Sequence, residues 1–552
     1  MLAVATGFLD ATPALAAKPS PHVIGTDPVS VEDPAALLEL YRVKPSSKKQ
    51  LAADPTADAG CGAPAADPVP DGEPIVVSLP PAPAFTVGKI DAASWRNPPS
   101  TDPTWQLNYL GLMWMKSLAR RAAMDDQQQS LAALVDQVVA FHQQDPDPTT
   151  ATWGWDEATA VRRLETESCL YALTTSDKLV AGMIADATVV LGPRYYGPPN
   201  FQVHNHGLMA NLRLVKAADQ LDQPAWKTTA ITRMTNEAPL AFSAAGVSYE
   251  QSSMYQQTNA DLWEQAAILL EATPGSESVA ASLRIAVGKA HQVFSWFTEP
   301  DGTIVQVGDS DEATGDPADL GAANRVLRDD PTGWIVGRWS WTDPNTSYYT
   351  IRYGPARRAH GHHDRAGGVT YTTAGTRVLV GPGRYTYDKT SIYNAYQTNP
   401  EGQNVAIPDG GVAGNGTATV SAAVIQAPAH GWSLTDTVYG VPHTRGVNVN
   451  RDAQRMQVSD TFASVSLWRQ HWHLDPQWTL VSGGANSTVL VFSHSSGKKL
   501  TVTTTGRVSG VAHGLTRPPT GWHFPDFGVR VWAEEIVIRS YGTACTTTFQ
   551  VS

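Results

Sequence analysis

The period of the apolar residues changes once along the chain, near residue 303. That change limits the fold more than any other feature. From 91 to 302 apolar residues recur at roughly 3.6-residue spacing, the repeat that gives a helix one apolar face. The stretches "WQLNYLGLMWMKSLARRAAM", "QQQSLAALVDQVVAFHQQ", "GLMANLRLVKAADQL" and "ADLWEQAAILLEA" show it, with short Pro, Gly, Asp or Ser breaks between them. Such helices in succession predict paired helices forming an α/α toroid. From 303 to 552 the text becomes β-branched and alternating, as in "GGVTYTTAGTRVLVG" and "VRVWAEEIVIRSYG", punctuated by Gly and Asn. This predicts an antiparallel β-sandwich. Helices first and strands afterwards indicate separate domains, not an alternating α/β sheet.

The 552 residues exceed what one simple core holds. Residues 18–90, rich in Pro, Ala and Asp, read as a loosely structured leader. Residues 1–17 carry a short apolar run ending in Ala14-Leu15-Ala16, an A-x-A cleavage pattern. Asp10 interrupts the run and a basic segment is missing, so it reads as the remnant of a secretory signal. Export to an extracellular or periplasmic space is expected. No later stretch reaches about 18 uninterrupted apolar residues, so no transmembrane helix is expected. The three cysteines, Cys61, Cys169 and Cys545, are widely spaced. They make neither a disulfide framework nor a cysteine-type zinc site, and at most one bridge. The formal charge of −12 argues against a general nucleic-acid binder. It permits a local Arg and His cluster that binds an acidic ligand. Seventeen Trp and seventeen Tyr suit cores, and also clefts in which sugar faces stack on rings.

Three stretches concentrate titratable side chains. In "HNHG" (His204–Gly207), Asn205 caps a helix, or Asn205 and His206 act as amide donor and base. In "SYEQSSMYQ" (Ser248–Gln256), Glu250 and Tyr255 stand among small polar residues. In "RRAHGHHDRAGG" (Arg357–Gly368), His360, His362, His363 and Asp364 form either a metal site or a polar wall for an acidic substrate. Nearby lie "GPGRYTYD" (Gly381–Asp388) and Tyr393.

With "HTR" (His443–Arg445) and "WHLDP" (Trp472–Pro476), these motifs occur in the order seen in heparinase II/III-like polysaccharide lyases, which the sequence resembles from roughly 105 to 480. The resemblance implies the same toroid and sandwich, and β-elimination of a uronic-acid-containing, anionic polysaccharide. Such chemistry needs the uronate carboxylate neutralised, a base for the adjacent C–H and an acid for the leaving oxygen. It implies catalytic roles for Asn205, His206, Tyr255 and His360. Tyr255 would donate a proton to the leaving oxygen, and could also serve as base. A second tyrosine falls among Tyr385, Tyr387 and Tyr393. Asn108, Arg162, Arg163 and Glu250 would bind substrate, together with Tyr387 or Tyr393. His443 and His473 would be structural residues of the sandwich, and His204 is left neutral.

Relatives hold a structural zinc, and here the chain departs from them. His362 keeps the first ligand position, but Gly381 and Gln403 stand at the other two. Zinc takes about four donors, so no metal or other cofactor is expected, although His363 or Asp364 could supply a different geometry. Two other functions compete. A glycoside hydrolase would use paired acids drawn from Asp156, Glu157 and Glu250. A non-catalytic glycan-binding protein would have lost activity along with the metal ligands.

Overall fold

The computed structural model describes residues 60–66, 75–77, 85–87, 95, 100–149, 152–192 and 203–552. The predicted signal segment and most of the 18–90 leader lie outside them. Among the described residues the helical part comprises Pro103–Leu110, Trp114–Met124, Gln128–Gln144, Glu157–Thr174, Val180–Leu191, Asn205–Leu221, Pro224–Glu237, Ser253–Glu271 and Glu277–Trp296. Their starts follow from capping chemistry. Asp102 accepts from the Trp105 amide ahead of Pro103, Asp156 from Ala158, and Ser252 from Tyr255. The helix Gln128–Gln144 buries Leu131, Leu134, Val135, Val138 and Phe141, one stripe at helical spacing. None of the helices is long and apolar enough to cross a membrane, among the described residues.

The described residues fall into two compact bodies, which cut across the change of secondary structure. One lies within Met1–Tyr195 and Arg213–Thr229, the other within Tyr196–Leu212 and Ala230–Ser552. In the first body a disulfide joins Cys61 to Cys169 on the helix Glu157–Thr174. Cys545, in the second, is free and buried.

The second body holds three principal antiparallel sheets. An eight-stranded sheet runs in the order Trp478–Ser482, Val489–His494, Lys499–Thr504, Ala544–Val551, Arg455–Phe462, His443–Asn450, Ala429–Asp436, Thr419–Ile425. A four-stranded sheet is Arg507–His513, Glu534–Ser540, Trp468–His473, Ala406–Pro408. Strands such as Arg455–Phe462 alternate buried and less buried side chains, as expected of a sheet with one face on a core. The five-stranded sheet, Val326–Asp329 to Thr376–Leu379, is different. Its strands Trp334–Arg338, Tyr348–Arg352 and Gly368–Thr373 are buried at every position. Ile335, Tyr349 and Ile351 join the large core shared with the other two sheets. Trp334, Val336 and Tyr348 point the opposite way, onto Val247, Val293, Trp296 and Phe297. The residues between Trp296 and Val326 are loop with isolated bridges, so regular strand begins later than residue 303.

Candidate active site

The second body brings together the residues around 205, 250, 309, 360 and 384. Asn205 opens the helix Asn205–Leu221 and is buried. Its backbone N–H donates to Glu250 Oε1 and its Nδ2 to Oε2, both at 2.7 Å. One carboxylate therefore fixes both the helix start and the side-chain amide. Nδ2 also lies 3.4 Å from His360 Nε2.

Tyr255 sits in the first turn of Ser253–Glu271, whose N-cap is Ser252. Its ring stacks on His360, centroids 3.4 Å apart and planes within 7°. Its hydroxyl is 3.2 Å from that of Tyr387, which accepts from Arg384 Nη1 at 3.3 Å. Arg384 in turn donates through Nε and Nη2 to the two oxygens of Asp311. His360 Nδ1 pairs with Asp309 Oδ2 at 2.9 Å, and His362 Nε2 with Oδ1 at 3.0 Å. The loop that carries these histidines is tied to the Glu250 segment. The His360 amide donates to the Glu250 carbonyl, and the Arg358 amide to Gln251 Oε1. Gln251 takes a left-handed φ of 59° to do so.

Burial pushes the Glu250 carboxyl above its ordinary value, partly offset by His360 and the two Asn205 bonds. Burial also raises Tyr255, against Arg384 and the Tyr387 hydrogen bond. Asp309 goes the other way: burial alone would raise it, but the hydrogen bonds from His360 and His362 hold it well below the carboxylate range. His204, just ahead of Asn205, is pushed down by burial and then by His206 and His360. The site therefore favours a protonated phenol at Tyr255, one tyrosine away from the Arg384 guanidinium.

Of the expected residues, Asn205, Glu250, Tyr255, His360 and Tyr387 come together here. His206 stands one residue further into the helix, half-buried, its N–H on His204 Nδ1 at 3.2 Å. Glu250 acts on Asn205, since both its oxygens are taken. Among the three tyrosines left open, Tyr387 is the one beside Tyr255. Tyr393 is not brought to Tyr255: it packs with Tyr396, Trp522 and Phe524 in an aromatic cluster, against which Tyr385 also lies. Arg163 is corrected too. It has no exposed surface, commits four of its five N–H groups to Asp186 and the carbonyls of Leu110 and Gly154, and lies over Phe141, so it is a buried structural cation. Arg162, on the same helix, is half-buried. Asn108 turns its amide onto the Thr104 carbonyl of its own helix at 2.9 Å. Sequence reasoning missed Asp309, Asp311 and Arg384. Arg384 lies in GPGRYTYD, and its company of tyrosines is the signal that could have found it.

His443 lies between Asp436 and Asp460, and Asp460 also binds Arg445. His473 donates its backbone N–H to Asn404 Oδ1 at 2.7 Å, and its ring faces Glu535 at 3.4 Å. Both histidines join strands of the sandwich. The zinc positions do not fit the metal. A Cβ added at Gly381 would lie 1.9 Å from the Gln306 carbonyl oxygen, so no carboxylate enters there. Gln403 points its amide at the Gln397 carbonyl and at His362 Nδ1. Asp364 faces Arg352 at 3.6 Å. One imidazole remains, fewer than the roughly three protein donors zinc uses.

No protein-family model matches the sequence, and no curated protein matches it. Solved structures do resemble the fold. Heparinase III superposes with a TM-score of 0.70 at 13% identity, covering 83% of this chain and 79% of that one. A mutant of the heparan sulfate lyase HepC from Pedobacter heparinus gives 0.60 at 14%, covering 90% and 87%. A second heparinase III gives 0.58 at 12%, covering 84% and 81%. At these identities the likeness carries the fold: an α/α toroid followed by an antiparallel β-sandwich.

Proposed function

We propose that this chain is an exported polysaccharide lyase that cleaves a uronic-acid-containing polymer by β-elimination. The observation that carries the reading is the half-buried Tyr255–Tyr387–Arg384 chain set against the buried His360 and Asn205. β-Elimination needs a proton removed next to a carboxylate and a proton given to the departing oxygen. Tyr255, kept protonated by burial, suits the donor role. Arg384, one phenol away, stabilises the phenolate left behind and the next proton uptake. His360 is the base within the set, and His206, next to Asn205, stands at its edge. A substrate carboxylate entering here competes with Glu250 for Asn205 Nδ2. The raised Glu250 carboxyl favours its own protonation at that moment, which removes a like-charge repulsion. Similarity to lyases in fold, and the Cys61–Cys169 bond typical of oxidising compartments, support the reading.

Hydrolysis has weaker support. It wants two free carboxyls across one bond. Asp156 caps its own helix through Ala158, and Glu250 is occupied by Asn205. The test is incubation with alginate, heparin, hyaluronan and chondroitin, following the ultraviolet absorbance of an unsaturated uronate. A rise with at least one polymer is expected. Reducing ends without absorbance would move the reading to hydrolysis, and binding without any turnover would move it to a glycan-binding protein.

A further inference from the structure

The tetrapeptide Gly308-Asp309-Ser310-Asp311 lies in the loop between the last long helix and the first strand of the five-stranded sheet. Each of its residues touches a different part of the site. Asp309 accepts from both His360 and His362, and its N–H donates to the His360 carbonyl at 2.8 Å. Ser310 Oγ accepts from the Met254 amide at 3.1 Å and meets Ser252 and Ser253 Oγ, in the first turn of the Tyr255 helix. Asp311 holds Arg384, which reaches Tyr387 and through it Tyr255. Gly308 allows the approach: at φ 66° its Cβ would lie 2.6 Å from both the Gln251 and His360 carbonyl oxygens.

We propose that this loop is the positioning device of the site, and that Asp309 sets the ring orientation and tautomer of His360. The proposal rests on the lyase reading for its kinetic arm only. A carboxylate offers acceptors alone. It therefore requires N–H at His360 Nδ1 and at His362 Nε2. In the neutral ring His360 Nε2 then carries the lone pair, and the Asn205 amide that can donate to it lies 3.4 Å away. An amide at 309 cannot satisfy both rings in that state, because one of its two ends donates. Asp309→Asn therefore forces one histidine to change tautomer while keeping the volume. Asp311→Asn leaves both rings alone and loosens only Arg384.

The experiment uses the full chain labelled with 15N-histidine, with His360→Gln and His362→Gln subtracting to assign the two rings. Ring-nitrogen spectra are compared between wild type, Asp309→Asn and Asp311→Asn. Wild type is expected to show a protonated Nδ1 at His360. Asp309→Asn is expected to alter at least one of the two rings, and Asp311→Asn neither. On a polymer that wild type degrades, both variants should lose about 10²-fold in kcat with KM nearly unchanged, since misplacement by about 1 Å costs that much. Unchanged His360 and His362 signals in Asp309→Asn, or full kcat in both variants, would overturn the proposal. If Asp309→Asn does not fold, Asp311→Asn and Ser310→Ala decide on kcat. If wild type degrades no polymer, the lyase reading fails and the spectra alone judge the loop.

Discussion

The chemistry of single residues turns on which hydrogens are already committed. Tyr255 has one phenolic proton, one partner in Tyr387 and a ring stacked on His360. Tyr255→Phe keeps the stack and loses the proton, so kcat should fall by about 10²–10⁴-fold with the melting temperature nearly unchanged. Tyr387→Phe leaves that proton in place and should cost less; equal losses would mean that the assignments of donor and neighbour are wrong. The missing zinc ligands give a second expectation. Gly381→Asp with Gln403→His restores the residue types but not the room, because the Gln306 carbonyl occupies it. The double variant should bind no zinc tightly and lose about 1–3 kcal/mol through overpacking. Metal content after dialysis and chemical denaturation would measure both. The sequence brought forward Asn205, His206, Tyr255 and His360 because they stand in short polar motifs whose order resembles that of a known family. It could not choose among Tyr385, Tyr387 and Tyr393, since that choice depends on which side of a turn meets the Phe524 cluster. Arg163 misled for the opposite reason: an arginine reads as a ligand-binding group until its buried carboxylate partner is seen across two helices.

At the scale of elements, periodicity and capping made the helices readable, and alternation made the outer sheet readable. The loop carrying Asp309 and Asp311 was not, because Gly, Asp and Ser in a row describe a turn whatever they hold. The pairing of the cysteines was also beyond reach, since three residues allow several choices. The bond found closes a separation of 108 residues, from Cys61 to Cys169. Cys61→Ser should lower stability by about 2–5 kcal/mol, as loop closure of that length suggests. Urea denaturation of the variant against wild type would show it, and a midpoint unchanged under oxidising conditions would contradict it.

At the scale of the whole molecule, stability depends on buried charge as well as on cores. In the first body, Glu167 has no exposed surface, and its Oε1 meets His142 Nε2 at 2.7 Å. Burial raises it to about 8, and holds His142 down to about 4. Asp186, nearby, is bound by Arg163. From about pH 4.5 to 8 the folded chain keeps the Glu167 proton and the unfolded chain has lost it. Glu167's contribution to stability therefore falls as pH rises through that window, while His142, held down to about 4, works the opposite way between about 4 and 6.5, so the net fall is expected between about pH 6.5 and 8. Glu167→Gln should flatten the fall, and parallel curves of melting temperature against pH would rule the account out. The five-stranded sheet has its own consequence for cutting the chain. Its two faces are claimed by different neighbours, Trp334, Val336 and Tyr348 by the helical residues before 303 and Ile335 and Ile351 by the sheets after it. A fragment starting at 303 would present an aromatic wall to water and should aggregate on expression. Supplying 230–302 as a second polypeptide should restore solubility, because the change from helix to strand in this chain is not a seam along which it can be divided.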